Sequence, residues 1–335
     1  MSSTVERFAN NLQPSATRFS LDDFTDSERS LLDQALAQNT RKGYDSDFRE
    51  WTAWCTAHGH QPLPIDPVQW AKYIKQLSDH GAAVGTIGRR FSALKFAESV
   101  AGLPTALTDP RVTTMWRGIR RTKGKPPDRS LPIMPPLLWD ILDATPTTTV
   151  DGKPSLAGLR DHALLLVGFF GALRRNELSG ICVEHLEVHE KGFVLHIPKS
   201  KTNQTGEQDE IVALPSSPTP GRCPVAAVTA WRKAASIDAG PLLRGLTKNG
   251  RPRSTAIGES TINKLVKSSI ERTGTDATPY SAHGLRAGFA TYANILGSSD
   301  RAIARQTRHK SLASLDTYVR IQELWNGNAA VEMRV

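Results

Sequence analysis

The chain has 335 residues, of which 39% are hydrophobic and 22% charged, a balance typical of soluble globular proteins. This composition argues against a chain that is disordered throughout, and no stretch approaches the roughly 18 apolar residues of a membrane-spanning helix. The 42 Lys and Arg residues outnumber the 33 Asp and Glu residues, and the resulting net charge of +9 favours a polyanionic partner.

The cysteine content predicts neither a disulfide framework nor a zinc site. Cys55, Cys182 and Cys223 are odd in number, far apart and lack a CxxC spacing. We therefore expect a protein of the reducing cytoplasm. The polar segment 1–20 lacks the apolar region of a signal peptide and is predicted to be a mobile arm.

Residues 21–122 have the pattern of an all-helical domain. Thr25-Asp26-Ser27-Glu28 resembles a capping box that opens a first helix. Asp66-Pro67 and Asp109-Pro110 each combine an N-cap with a proline at the first helical position and predict two later helices. A further helix is predicted between the one that begins at Thr25 and the one that begins at Asp66. Its buried face is marked by apolar residues at helical spacing, Tyr44, Phe48, Trp51 and Cys55.

Another helix is predicted at Thr86–Val100, with Ile87, Phe91 and Leu94 facing inward. We expect its outward residues to include Arg89, Arg90 and Lys95.

The basic run Arg117–Pro127 contains two glycines and ends in two prolines, which predicts an exposed linker between domains. We place this linker at residues 123–130. An isolated run of this kind is usually a solvated charged surface, but here it joins two halves with basic faces, so a strap over a phosphate backbone is plausible.

Residues 131–335 are predicted to form an α+β domain. Helical patterns occupy Pro135–Ala144 and Leu159–Gly171, and short β-prone runs at Leu186–Val188, Phe193–Ile197 and Ile211–Leu214 indicate one small antiparallel sheet. Helical patterns then resume in five segments, Val225–Ala235, Ser260–Glu271, His283–Leu296, Asp300–Thr307 and Leu312–Val319. The chain is thus predicted to be mainly α-helical.

Several residues of this second domain carry groups suited to phosphodiester chemistry, although each has an ordinary structural explanation. Arg174 would cap helix carbonyls or pair with Glu177, and Lys201 would be a solubilising residue in a turn. Tyr318 would pack with its hydroxyl in water. His283 and Arg286 share one helix face, and such a pair is common by chance.

Three strings together carry a specific resemblance. They are Gly171–Leu178 (GALRRNEL), Ser281–Ala290 (SAHGLRAGFA), and His309 to Tyr318 with a spacing of nine residues. In this order they resemble the tyrosine recombinase, or phage integrase, family. The N-terminal half is similar to the core-binding domain of Cre-like members, so the resemblance covers roughly residues 22–325 and implies a C-shaped clamp around a DNA duplex.

The resemblance implies a role for each residue in strand cleavage, without ATP or a metal. Tyr318 would attack the scissile phosphate and form a 3′-phosphotyrosine, while Lys201 would act as general acid toward the departing 5′-oxygen. Arg174 and Arg286 would hold the non-bridging oxygens.

The histidines and the acidic residue complete the implied site. His309 would donate a hydrogen bond to the same phosphate, His283 would accept or relay the proton of the nucleophile, and Glu177 would orient the site. A glycine often precedes the later histidine in the family, whereas this chain has Arg308, so we expect a local difference in the backbone.

The resemblance also implies partners, namely double-stranded DNA with an inverted-repeat site and three further copies of the chain. We expect a monomer in solution and a homotetramer on DNA that resolves a Holliday junction, with the tail residues Ile321, Leu324 and Trp325 docked in a neighbouring subunit. Phosphate contacts are predicted for Arg89, Arg90, Lys95, Arg120, Arg121 and Lys123, and major-groove contacts for Asn263, Lys264 and Lys267. The alternatives are a relaxing enzyme like the type IB topoisomerases and a catalytically silent DNA-binding protein.

Overall fold

The computed structural model describes residues 38–125, 129–198, 210–309 and Met333. The chain divides into two compact units, Met1–Pro127 and Asp128–Val335. The helices predicted to begin at Thr25 and at Leu312 lie outside the described residues, as does the predicted arm at residues 1–20.

In the first unit, the described regular structure is helical. It comprises α1 (Gln38–Ala57), α2 (Pro67–Asp79), α3 (Val84–Val100), a 3-10 turn (Ala106–Thr108) and α4 (Pro110–Lys123). The Asp66 carboxylate caps α2 by accepting hydrogen bonds from two backbone amides, those of Val68 and Gln69. The apolar faces of the four helices meet in a core that includes the fully buried side chains of Trp51 and Trp70.

One orientation predicted for α3 is wrong. Arg90 is buried rather than outward, because it lies three residues after the buried Ile87 and therefore shares the inner face of the helix. Its guanidinium donates to Glu50 and to the Tyr73 hydroxyl, and its Nε lies 3.7 Å from an oxygen of Asp47. These contacts compensate the buried charge.

The basic run Arg117–Pro127 is mostly helical rather than an exposed linker, because helix α4 continues to Lys123. Arg and Lys favour helices, the first proline of the run is Pro126, and the buried Val112 and Ile119 hold this helix against the core. The charges of Arg120 and Arg121 are therefore presented from a helix.

The second unit contains helices and two small antiparallel sheets. Its elements are α5 (Leu137–Asp143), α6 (Leu156–Phe170), α7 (Arg175–Gly180), a 3-10 turn (Val183–His185), β1 (Leu186–His189), β2 (Gly192–Ile197), β3 (Glu210–Pro215), a 3-10 turn (Pro220–Arg222), α8 (Pro224–Ala235), β4 (Arg244–Leu246), β5 (Pro252–Ala256), α9 (Glu259–Glu271), α10 (His283–Ile295) and α11 (Asp300–Thr307). The prediction of a mainly helical protein with a small antiparallel sheet is confirmed.

The predicted sheet has the strand order β1-β2-β3, in which Leu186 pairs with Leu195 and Ile197 pairs with Glu210. A second hairpin, formed by β4 and β5, was not predicted. Its strands have three and five residues, none of them buried, and the first contains a glycine, so no alternation of apolar and polar residues marks them.

Helix α6 lies at the centre of the second core. Most of its residues are buried, and α8 and α10 pack against it. This packing positions the end of α6, the start of α7 and the start of α10, and α11 packs in turn against α10 and β3. Five of the residues predicted to be catalytic, Arg174, Glu177, His283, Arg286 and His309, come from these ends.

The described helices include none that is both long enough and apolar enough to cross a membrane. All three cysteines are free thiols.

The close approach of α10 to residues 131–133 gives a test of the fold. A Cβ added at Gly288 would lie 2.0 Å from the backbone oxygen of Ile133, which cannot rotate away as a side chain would. We expect Gly288→Ala to destabilise the protein by about 1–3 kcal/mol through overpacking. Gly180, the last residue of α7, has open space around its added Cβ, so Gly180→Ala is the matched control. Chemical denaturation of the full chain measures both, and equal stabilities would contradict this packing.

Candidate functional site

Arg174 and Glu177 form the first part of the site, at the junction of α6 and α7. Arg174 is the N-cap of α7, and its backbone N–H donates to Glu177 Oε2 at 2.8 Å. Its Nη1 donates to Glu177 Oε1 at 2.7 Å. Arg175 lies elsewhere, with an exposed side chain paired to Glu259, so Arg174 is the arginine held by the buried carboxylate.

Arg286 forms the second part, from the first turn of α10. It is only 1% exposed, and its Nη1 donates to the carbonyl oxygen of Ala172 at 2.7 Å. Ala172 has a left-handed backbone, with φ of +45°, in the turn that ends α6. The strained turn thus supplies an acceptor that fixes the guanidinium.

His309 is the third part, and its hydrogen bonds define its tautomer. Arg286 Nη2 lies 3.1 Å from Nε2, and because a guanidinium can only donate, Nε2 is the acceptor. Thr307 Oγ1 donates to the Ile303 carbonyl and lies 2.8 Å from His309 Nδ1, so Nδ1 carries the proton and donates to Thr307. The imidazole is therefore neutral.

The electrostatic surroundings agree with a neutral imidazole. Burial is the main cause that lowers the pKa of His309 to about 4, and the charges of Arg286, Arg174, Arg308 and His283 lower it further. Of these groups His283, which is exposed at the first residue of α10, makes the smallest contribution to the lowered pKa of His309.

Arg308 is a part of the site whose role the sequence did not reveal. Its Nη2 donates to Glu177 Oε2 at 2.5 Å, and its side chain is 6% exposed. Its backbone is left-handed, with φ of +56°, a conformation that favours glycine. The sequence signal was the departure itself, a charged residue where a glycine was expected.

The Glu177 carboxylate accepts hydrogen bonds from both Arg174 and Arg308. Burial alone would raise its pKa, but the charge of Arg308 and the hydrogen bonds from Arg174 outweigh burial, so the pKa of Glu177 is lowered. The carboxylate is thus ionised, and it neutralises only part of the positive charge that surrounds it. The remaining charge suits an anionic group such as a phosphate.

The structure therefore brings together five of the predicted site residues, Arg174, Glu177, His283, Arg286 and His309. Lys201 and Tyr318 lie outside the described residues. In the sequence, Lys201 precedes Glu210, the first residue of β3, by nine positions, and Tyr318 follows His309 by nine.

The residues predicted to read bases on α9 differ in their surroundings. The Asn263 side chain accepts a hydrogen bond from the backbone of Ala282, just before α10, and Lys267 donates to the Thr278 carbonyl. Both therefore have partners within the unit, whereas Lys264 is exposed.

The residues predicted to contact phosphates in the first unit are, apart from Arg90, on the surface. Lys95, Arg120, Arg121 and Lys123 are exposed. Arg89 is half exposed and pairs with the buried Asp47 at 2.9 Å.

The low pKa of His309 gives a prediction about DNA. In the DNA-free protein we expect the imidazole to titrate at about pH 4, well below its ordinary 6.5, and a bound phosphate to raise this pKa by opposing the surrounding cations. NMR of labelled histidine measures both states. As the pH falls from 6.5 toward 4, His309 is protonated in the unfolded chain but not in the folded protein. The free energy of unfolding therefore decreases over that pH range. Titration near 6.5 without DNA would contradict the arrangement.

Known proteins similar to this chain are recombinases. The integrase/recombinase XerD homolog of Selenomonas ruminantium is 32% identical over 305 residues, which cover 90% of this chain and 87% of the relative. A tyrosine recombinase of Synechococcus elongatus is 24% identical, with 86% of each chain covered. No family model matches the chain.

Solved structures show the same fold. The XerH site-specific recombinase bound to a palindromic difH substrate superposes with a TM-score of 0.63 at 16% identity, covering 96% of this chain and 93% of the other. A lambda integrase tetramer bound to a Holliday junction gives 0.56 at 17% identity, covering 91% and 78%. On the extent of the similarity to the Selenomonas relative, together with this fold, the chain belongs to the tyrosine recombinase family of site-specific recombination enzymes.

Proposed function

We propose that this recombinase cleaves and rejoins DNA strands through a covalent 3′-phosphotyrosine formed by Tyr318, and that exchange proceeds through a Holliday junction. The observation that carries the proposal is the buried set of cations at the ends of α6, α10 and α11. Arg286 contacts His309 directly, and Arg174 is fixed on Glu177. Fixed donors of this kind stabilise the charge that a phosphodiester gains in its transition state.

Each residue has a role that follows from its setting. Arg174 and Arg286 hold the non-bridging oxygens, and Glu177 keeps Arg174 in place. His309 changes partner when the phosphate enters: the anion raises its pKa, so Nε2, an acceptor for Arg286 in the DNA-free protein, takes up a proton from solvent and donates to the phosphate.

The remaining steps involve the exposed histidine and the two residues outside the described ranges. His283 accepts or relays the proton of the Tyr318 hydroxyl as the phenolate attacks phosphorus. Lys201 protonates the departing 5′-oxygen. The phosphodiester energy stays in the phosphotyrosine, so the 5′-hydroxyl of a second strand can reverse the reaction.

The proposed substrate is double-stranded DNA with an inverted-repeat site, bound by a tetramer of the chain. The net charge of +9 supports a DNA partner, as do the palindromic substrate of XerH and the lambda integrase tetramer on its Holliday junction. Phosphate contacts are proposed for the exposed members of the set predicted to make them, Arg89, Lys95, Arg120, Arg121 and Lys123. A major-groove contact is proposed for the exposed Lys264. Affinity should therefore fall steeply with salt.

A nicked suicide duplex, built on a site selected from random sequences by binding, tests the proposal. Cleavage releases a short strand and traps the covalent adduct, and mass spectrometry of the digested adduct locates the modified tyrosine among the five in the chain. We expect modification at Tyr318 and no adduct from Tyr318→Phe. Modification at Tyr280 or Tyr292 would overturn the assignment.

The same substrates separate the alternatives. Binding without an adduct would indicate a silent DNA-binding protein. An adduct that relaxes supercoils but gives no recombinant product from two sites would indicate a topoisomerase-like enzyme. Recombinant products and junction intermediates support the recombinase.

A further inference from the structure

Arg308 occupies a backbone conformation that glycine would hold at lower cost. It closes α11 in the left-handed region, with φ of +56° and ψ of +43°. An L residue other than glycine loses about 1–2 kcal/mol there. Of the described residues other than glycine, only Ala172, Ser236 and Arg308 have positive φ, and Ala172 and Arg308 both border the candidate site. The contacts of the arginine side chain must offset this cost.

Those contacts join four parts of the second unit. Nη2 donates to Glu177 in α7, and Nε lies 3.4 Å from Glu210 Oε2 at the start of β3. Nη1 donates to the carbonyls of Gly171, at the end of α6, and of Gln306, in α11. Burial lowers the pKa of Arg308 and the two carboxylates oppose this, so the guanidinium is a charged bridge between two acidic groups.

We propose that Arg308 is a positioning residue for strand cleavage, which bridges Glu177 and Glu210 and so fixes Arg174 relative to the start of β3. The inference rests on the proposed function. Glu177 Oε2 accepts both from Arg308 and from the Arg174 backbone, while Oε1 accepts from the Arg174 side chain. The orientation of Arg174 therefore depends on a carboxylate whose place Arg308 helps to set.

The second carboxylate, Glu210, connects Arg308 to the strand that follows the segment containing Lys201. Glu210 is the first residue of β3 and pairs with Ile197, the last residue of β2. These two residues flank the segment 198–209, whose sequence contains Lys201. Arg308 thus connects Glu210, which follows the segment containing the proposed general acid Lys201, to Glu177, which holds Arg174.

Four variants test the bridge: Arg308→Gly, Arg308→Lys, Glu210→Gln and the double variant Arg308→Gly/Glu210→Gln. Glycine favours the left-handed backbone, which offsets part of the stability lost with the bridge, and denaturation of each variant checks that it is folded. In single-turnover cleavage of the suicide duplex we expect Arg308→Gly to be about 10²-fold slower than wild type, since small misplacements cost rates of this order. DNA affinity should change by less than about threefold, because a positioning residue acts on the rate step. Arg308→Lys, which keeps the charge but not the fork, should be intermediate.

The double variant provides the sharper result. If Arg308 acts through Glu210, Glu210→Gln slows cleavage in the wild type but adds nothing to Arg308→Gly. Arg301→Ala, an exposed arginine on the same helix, is the matched control and should leave the rate unchanged. The His309 pKa should also rise in Arg308→Gly, because Arg308 is one of the charges that lower it.

Two failures are distinguishable. A wild-type rate in Arg308→Gly, or multiplicative effects of the two substitutions, would overturn the positioning role and leave the proposed function intact. Absence of a Tyr318 adduct from the wild-type protein would overturn the proposed function, and with it any role of Arg308 in cleavage.

Discussion

Replacing Arg286 by alanine is expected to slow formation of the Tyr318 adduct by about 10³-fold, the upper range for removal of one preorganised donor. The side chain is buried, and its two donor nitrogens contact the Ala172 carbonyl and His309 Nε2. Its loss removes a positive charge next to the proposed phosphate and the hydrogen bond to His309 Nε2. Single-turnover cleavage of the nicked duplex measures the rate.

A lysine at the same position separates charge from geometry. Arg286→Lys keeps the charge, but one ammonium group cannot reach both acceptors in the planar arrangement of the guanidinium, so we expect most of the loss to persist. Arg272→Lys is the matched control, because Arg272 pairs with Asp161 and Ser269 outside the site. A normal rate in Arg286→Lys would show that charge alone suffices, contrary to the proposal.

The sequence predicted most of the second unit because its signals are local. Apolar periodicity marked α6, α8 and α9, and the limits predicted for Asp300–Thr307 agree with those of α11. Each of these helices buries a continuous face, and a buried face leaves a repeat in the sequence. The hairpin of β4 and β5 leaves no such repeat, since its strands are short and none of their residues is buried.

Side-chain orientation was harder to predict than helix position. Arg90 was expected on the surface because arginine usually lies there, and nothing near it in the sequence shows that Asp47 and Glu50 from another helix would approach it. Arg308 presents the same difficulty at the site. Its partners Glu177 and Glu210 are 131 and 98 positions away in the sequence, so its role follows only from the tertiary structure.

The second large effect is expected for Glu177→Gln, as a loss of stability. Its side chain is fully buried and accepts hydrogen bonds from the Arg174 backbone, the Arg174 side chain and Arg308. Glu177→Gln keeps the shape but removes the negative charge, which leaves the Arg174 guanidinium without its buried counterion and Arg308 with Glu210 alone. Breaking a buried pair in this way costs about 3–5 kcal/mol. We therefore expect a large drop in the free energy of unfolding, together with slower cleavage because Arg174 loses its support.

The control and the pH dependence make this expectation specific. Glu259→Gln breaks the exposed pair with Arg175 and should cost less than about 1 kcal/mol. Because the pKa of Glu177 lies below its usual 4.5, its contribution is fully present above pH 4.5 and is lost as the pH falls through the lowered value. Denaturation of both variants and wild type from neutral to acidic pH should show the gap between Glu177→Gln and wild type narrowing below pH 4.5. If Glu177→Gln costs no more than Glu259→Gln at neutral pH, the buried carboxylate is not what holds Arg174 and Arg308 together.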